Sequence, residues 1–210
     1  MRERASLFLD GKRLDTAKVF SKSIDMDLKA GRIHNLTVFT AHNGRNKQLF
    51  YVGSLDSVDA KGLTGSVILK KSDNSGSAIP VSQWRMKGGP GNPHAKRGWK
   101  PIYTTSLENN PAFFRTIFTV PSLPGTHHVW RVITNSLSYG SVWVNGHNLG
   151  RYPEKIKIDG LYIPENWLKK GSNTLIIYDE NGAHPGQVLI RAETRAGRDV
   201  TIYMENDRLN

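Results

Sequence analysis

The chain has 210 residues, 38% of them hydrophobic, enough for one good core or two small ones, since domains commonly run to about 100–150 residues. Its 29 Lys and Arg against 18 Asp and Glu leave a net charge of +11, which suits a polyanionic partner in principle. The basic residues are scattered, however, and the one dense run (Arg85, Lys87, Lys96, Arg97, Lys100) lies in a Gly/Pro-rich loop with no nucleic-acid-binding motif beside it, so no nucleic-acid partner is expected.

Cysteine is absent, which excludes a disulfide framework and a thiolate metal site and leaves the redox compartment unread. Met1-Arg2-Glu3-Arg4 leads into only three apolar residues, Leu7 to Leu9, far short of a signal-peptide core. No stretch approaches the roughly 20 apolar residues of a membrane span, so no membrane partner is expected.

Short runs rich in Val, Ile, Phe, Tyr and Trp recur between Gly, Asn, Asp and Pro turns, the pattern of antiparallel strands. In chain order the expected strands cover residues 6–9, 35–40, 66–70, 113–120, 129–134, 141–145, 174–178, 187–192 and 200–204. The first is closed by Asp10-Gly11 and the sixth by Asn145-Gly146, two-residue turns suited to type I′ hairpins. A sequon, Asn35-Leu36-Thr37, opens the second. Gly88-Gly89-Pro90-Gly91-Asn92-Pro93 has the composition of a connector. In the fourth strand Phe114, Phe118 and Val120 share one face and Arg115 and Thr119 the other, as a half-buried strand requires. The clearest helical piece is 164–171, with Pro164 at its start, Lys169 and Lys170 at its carbonyl end and Gly171 as stop. Its Trp167 and Leu168 are expected to cap the end of a sandwich, packing being favoured over a sugar platform at Trp167.

Comparing the chain with itself reveals two copies of one β unit. Leu7-Phe8-Leu9-Asp10-Gly11-Lys12-Arg13-Leu14 lines up with Val142-Trp143-Val144-Asn145-Gly146-His147-Asn148-Leu149. Leu36-Thr37-Val38-Phe39 echoes Leu175-Ile176-Ile177-Tyr178, and Gly65-Ser66-Val67-Ile68-Leu69 echoes Gly186-Gln187-Val188-Leu189-Ile190. Strands precede the hairpin in the second copy, whereas only Met1 to Arg4 precede it in the first. The first unit is therefore expected to be truncated, the chain being a fragment or the unit being completed by another chain. The expected architecture is all-β: a partial sandwich over residues 1–86, a basic connector over 87–100 and a complete jelly-roll sandwich over 101–210.

At this point the motifs resemble a known family. Gly140-Ser141-Val142-Trp143-Val144-Asn145-Gly146-His147-Asn148-Leu149-Gly150-Arg151-Tyr152 is similar to the G-x-V-W-V-N-G-x-N-L-G-R-Y signature in the C-terminal jelly roll of family 35 β-galactosidases. Phe113-Phe114-Arg115-Thr116-Ile117-Phe118-Thr119-Val120-Pro121 resembles the family's W-Y-R-T-T-F-x-V-P strand. Leu161-Tyr162-Ile163-Pro164 through Trp167-Leu168, Gly171 and Asn173 resembles its L-Y-V-P-x-x-W-L-K-x-G-x-N segment, and Tyr178-Asp179-Glu180 stands at its V-F-E strand end. His42 with Gly44-Arg45, and Lys61 to Val67, resemble the preceding sandwich of the same enzymes more loosely. Pro153 departs from the pattern, since the family usually has Trp there.

The resemblance implies galactose-binding-like sandwiches lying beside a (β/α)8 barrel that supplies two catalytic glutamates about 5–5.5 Å apart. No barrel fits in this chain, because its alternating strand–helix pattern of about 250 residues is missing, so no catalytic residue is assigned. A nucleophile elbow, a phosphate loop and an H-E-x-x-H site are not found, and no metal or cofactor is expected. His127-His128 would point to opposite faces of a strand, and Asp179-Glu180 reads as a solvated rim. The expected function is an accessory role supporting the catalytic barrel of a parent enzyme. The alternative is a stand-alone carbohydrate-binding, lectin-like module for galactosides, with His147, Asn148, Arg151 and Tyr152 beyond the Asn145-Gly146 turn as the candidate ligand contacts. Compartment is left open, a periplasmic or secreted parent being one reading.

Overall fold

The computed structural model describes residues 4–18, 23–41, 62–89, 93–94, 97–104, 109–122, 128–153, 158–193 and 199–202. His42, Gly44, Arg45, Lys61, Pro90, Gly91, Asn92, Lys96, His127 and the expected strand end at 203–204 lie outside them. The described residues form 13 strands, β1 to β13, all of them in antiparallel pairs, with two short 3₁₀ turns and no α-helix. None offers a helix long and apolar enough to cross a membrane. The chain divides into two compact units, Met1–Gly88 and Gly89–Asn210.

In the first unit β1 (Arg4–Leu9) runs between β2 (Lys12–Lys18) and β3 (Leu36–Ala41), and β4 (Val67–Leu69) pairs with β5 (Ile79–Val81). The Asp10-Gly11 turn takes positive φ at both residues, 50° and 83°, as a type I′ hairpin demands and as glycine tolerates without cost.

The second unit is a sandwich of two four-stranded sheets. One has the order β6 (Ala112–Val120), β11 (Gly171–Asp179), β8 (Gly140–Val144), β9 (His147–Tyr152). The other has the order β10 (Leu161–Ile163), β7 (Val129–Ile133), β12 (Leu189–Glu193), β13 (Asp199–Ile202). Alternation delivers one side chain in two to the space between them. Phe118, Val142, Val144, Leu175 and Ile177 come from the first sheet; Trp130, Val132, Ile163, Ile190 and Ala192 come from the second. Central β11 is buried on both faces, because Phe113 covers its outer side, 5.0 Å from the Tyr178 ring and 6.2 Å from that of Trp143.

The duplication seen in the sequence extends to backbone detail. Leu7 pairs with Asp15 and Phe8 with Arg13, leaving Leu14 as an extra residue; Val142 pairs with Gly150 and Trp143 with Asn148, leaving Leu149. Both hairpins therefore bulge at the same offset from the turn. On the other side Leu9 faces Leu36 as Val144 faces Leu175, and Leu7 faces Val38 as Val142 faces Ile177.

One element differs from expectation. The helix read over 164–171 is a 3₁₀ turn of three residues, Glu165–Trp167; Leu168 is already extended and Gly171 opens β11. A side chain outcompetes the helix here. Asn173, 1% exposed, accepts from the Lys169 N–H at 2.8 Å and donates to the carbonyls of Lys169 and Gly171, both at 2.9 Å. Those bonds replace the intrahelical ladder that residues 168–171 would otherwise need.

Candidate ligand site

The tip of the β8–β9 hairpin is fixed from beneath by amide side chains. Asn145 (φ 50°) and Gly146 (φ 91°) form the turn. The Asn145 Oδ1 accepts from the Thr174 N–H at 2.9 Å, while its Nδ2 donates to the Trp167 carbonyl at 2.8 Å and to the Asn173 Oδ1 at 2.7 Å. Hairpin, 3₁₀ turn and β11 are thereby tied at one point. Asp10 does the same in the first unit: its Oδ1 accepts from the Asn35 N–H at 2.8 Å and its Oδ2 meets the His34 Nδ1 at 2.8 Å. The Asn35 N–H, then His34, hold the Asp10 carboxyl below its ordinary value. The His34 Nε2 accepts from the Lys29 N–H at 3.0 Å, which leaves the ring proton on Nδ1, facing Asp10.

Beyond the second turn His147 and Asn148 are exposed. The His147 ring stacks on half-buried Trp167, centroids 4.5 Å apart and planes 17° from parallel. The Asn148 Oδ1 accepts from the Gly150 N–H at 2.7 Å, steadying the bulge, and its amide nitrogen bonds to no described residue. His94, within the stretch read as a connector, also reaches this tip: a Cβ on Gly146 would lie 3.8 Å from its Cε1. Nothing in the local composition around His94 signals this, because the approach is tertiary. A stacked His–Trp pair beside the Asn148 amide nitrogen has the composition of a sugar subsite, an apolar platform with a few directed polar groups.

Arg151 and Tyr152 lie elsewhere. Arg151 is four residues along β9 from His147, roughly 13 Å at the rise of a strand, with its Nη2 3.3 Å from the Glu180 Oε1. Tyr152 is 3% exposed and belongs to the core. Its hydroxyl proton is shared between the Tyr178 carbonyl and the Asp179 Oδ2, both at 2.9 Å. Burial first, and the Asp179 charge second, push the Tyr152 hydroxyl far above its ordinary value of 10. Gly140 is required beneath it: a Cβ there would sit 1.7 Å from the Tyr178 carbonyl oxygen. The structure thus brings His147 and Asn148 together at the tip, and separates them from Arg151 and Tyr152.

Asp179 and Glu180 correct the reading of a solvated rim, being 0% and 2% exposed. The Asp179 carboxylate accepts from the Ser138 hydroxyl (2.6 Å) and N–H (2.8 Å), from Tyr152, and from the N–H groups of Asn181 (3.0 Å) and Ala183 (2.9 Å). Five donors offset the cost of placing a carboxylate in the interior. Among the described residues no three His, Cys, Asp or Glu side chains cluster in a way that could hold a metal ion. The His128 ring packs edge-on against Trp130, centroids 6.3 Å apart, its Nδ1 buried.

A family model described as "Beta-galactosidase, galactose-binding domain" matches residues 111–173, which run from β6 into β11 and include the whole hairpin tip. The chain is 31% identical to human Beta-galactosidase-1-like protein 3 over 126 residues, covering 58% of this chain and 18% of that protein. It is 34% identical to Beta-galactosidase 7 of Oryza sativa subsp. japonica over 85 residues, 37% of this chain and 11% of that protein. It is 35% identical to human Beta-galactosidase-1-like protein 2 over 79 residues, 36% of this chain and 11% of that protein. These matches span less than a fifth of the length of the relatives.

Proposed function

With its second unit belonging to the family of β-galactosidase galactose-binding domains, we propose that this chain is a non-catalytic accessory region of a β-galactosidase-type glycoside hydrolase. Its two β units, over 1–86 and 101–210 with 87–100 as connector, would support a catalytic barrel carried by the parent enzyme. The observation that carries this reading is the match of residues 111–173 to an accessory domain in proteins of which the chain aligns with less than a fifth. The described residues fit it. Asp179 and Glu180 are enclosed in the fold, and Asp179 is occupied by hydrogen bonds from Ser138, Tyr152, Asn181 and Ala183. The purified chain is expected to release no chromophore from a nitrophenyl β-galactoside; measurable turnover that scales with protein concentration through purification would overturn the reading.

A second reading, a galactoside-binding module, is favoured by the stack of exposed His147 on half-buried Trp167 and by the amide nitrogen of Asn148, which bonds to no described residue. Titration with galactose, lactose and galactan followed by NMR separates the two. Saturable shifts at His147, Asn148 and Trp167, lost in His147→Ala, would establish binding at the tip; an unchanged spectrum at millimolar sugar leaves the architectural role.

A further inference from the structure

The one sequon of the sequence, Asn35-Leu36-Thr37, stands at the entry to β3. Exposure alternates along this stretch of the first unit. Ile33, Asn35 and Thr37 are exposed, while His34, Leu36 and Val38 are half-buried, which is how an extended chain distributes its side chains between two sides. Ile33 is 95% exposed, an isoleucine standing almost wholly in water.

The fold makes no use of the Asn35 side chain. Asparagine commonly serves a structure through its tolerance of positive φ or through a bond from its amide to nearby backbone. Asn145 does both, with φ 50° and an amide joined to Thr174, Trp167 and Asn173. Asn35 does neither. Its φ is not positive, and only its backbone is engaged: the N–H donates to the Asp10 Oδ1 at 2.8 Å, and the carbonyl accepts from the Asp10 N–H at 2.9 Å. The amide group bonds to no described residue. In the second unit the same two backbone bonds are made to Asn145 by Thr174, so the position requires two backbone groups and no amide side chain.

Those bonds also fix how the tripeptide is presented. Asp10 holds the backbone of Asn35, and the ladder holds Thr37 opposite Phe8 on β1. The amide and the hydroxyl, two residues apart, therefore reach solvent from the same side. Transfer of an oligosaccharide to asparagine needs a Ser or Thr two residues on and a residue other than proline between them, here Leu36. It also needs a surface on which a bulky, hydrated group can stand.

We propose that Asn35 is an acceptor for an N-linked glycan. The donor is an oligosaccharide carried on a polyisoprenoid lipid diphosphate. The Asn35 amide nitrogen bonds to the anomeric carbon of the first sugar, and the bond from that carbon to the diphosphate oxygen breaks. The lipid diphosphate leaves with the electron pair, and the amide nitrogen gives up one proton to a base of the transferase. Both backbone bonds to Asp10 survive, because neither involves the side chain. The first sugars would stand on the side of Ile33 and cover apolar surface that is otherwise left in water. This role does not depend on what the hairpin tip binds.

The test translates the intact chain behind a cleavable secretory leader, in a cell-free system supplied with endoplasmic-reticulum microsomes. Added protease destroys whatever stays outside, so every chain that survives has met the transferase. Most protected chains are expected to gain the mass of one oligosaccharide, and peptide N-glycosidase should remove it, leaving aspartate in place of Asn35 in the tryptic peptide. Asn35→Gln and Thr37→Ala should both run without the increment. Once the microsomes are opened, the occupied chain should resist mild proteolysis as well as the unoccupied one, with the glycan in solvent. Asn35→Gln made without glycosylation should keep the circular dichroism and unfolding midpoint of the parent, since its amide serves no bond in the fold. Protected chains without the increment, an increment that persists in Asn35→Gln, lost resistance on occupancy, or an unfolded Asn35→Gln chain would each overturn the acceptor.

Discussion

Asn173 shows how much one buried amide organises when a sheet has to meet a loop. Its side chain joins Lys169, Gly171 and Asn145, and removing it deletes four part-buried hydrogen bonds worth about 1 kcal/mol each. Asn173→Ala is therefore expected to lower the unfolding free energy by roughly 3 kcal/mol or more, measured by urea denaturation followed through tryptophan fluorescence. Tyr152 makes a different contribution, one that depends on pH. Burial holds the hydroxyls of Tyr152 and Tyr178 neutral beyond the ordinary value of 10. In the unfolded chain both ionise near 10, so their contribution is intact below that pH and is lost as pH rises above it. The midpoint of thermal unfolding should fall as pH passes 10, and Tyr152→Phe should make that fall shallower; an identical slope in the variant would contradict the assignment. Gly140→Ala is expected to cost about 1–3 kcal/mol or more, since backbone, not a movable side chain, occupies the space.

Among the elements, the two hairpins were the most legible in the sequence. Asp-Gly and Asn-Gly between apolar strands specify positive φ at both turn residues, and the chemistry is local. The short pieces were not. Leu161-Tyr162-Ile163 pairs as β10 and Ile79-Pro80-Val81 as β5, but three residues carry too little periodicity to announce a strand, and their pairing is decided by partners far along the chain. The segment 164–171 misled for the opposite reason: proline, lysines and glycine spell a helix locally, and a tertiary bond from Asn173 overrides them. At the candidate site His147 and Asn148 were readable because they follow the turn, while Arg151 and Tyr152 appeared near them only in sequence. In the first unit, the Asp10 turn carries its own prediction. Its carboxyl, lowered first by the Asn35 N–H and then by His34, stabilises the fold above its unfolded value of 3.8, and that support disappears as pH drops through the lower folded value. His34→Ala should raise the midpoint of the Asp10 titration, observed by carboxyl carbon NMR; an unmoved midpoint would mean the ring contributes nothing.

For the whole molecule, the fold rests on duplicated backbone whose matching positions, among the described residues, are unequally buried. The second unit encloses its apolar side chains between two sheets, so Leu175→Ala or Ile177→Ala is expected to cost about 2–5 kcal/mol. Their first-unit counterparts Leu36 and Val38, half-buried, should cost less than half as much by the area they leave in water. Denaturation of the four variants side by side measures that difference. Repetition was visible in the sequence because it preserves residue types at turn and strand positions; the inequality was not, because burial depends on what lies opposite.

The common bulge also makes the hairpins interchangeable parts. Leu14 and Leu149 each stand as the unpaired residue at the same distance from the turn, so a tip transplanted from one hairpin to the other arrives without a frame error. Asp10→Asn, Lys12→His and Arg13→Asn would then copy the imidazole and amide of the second tip onto the same side of the first, with Asp27 rather than a tryptophan at the place of Trp167.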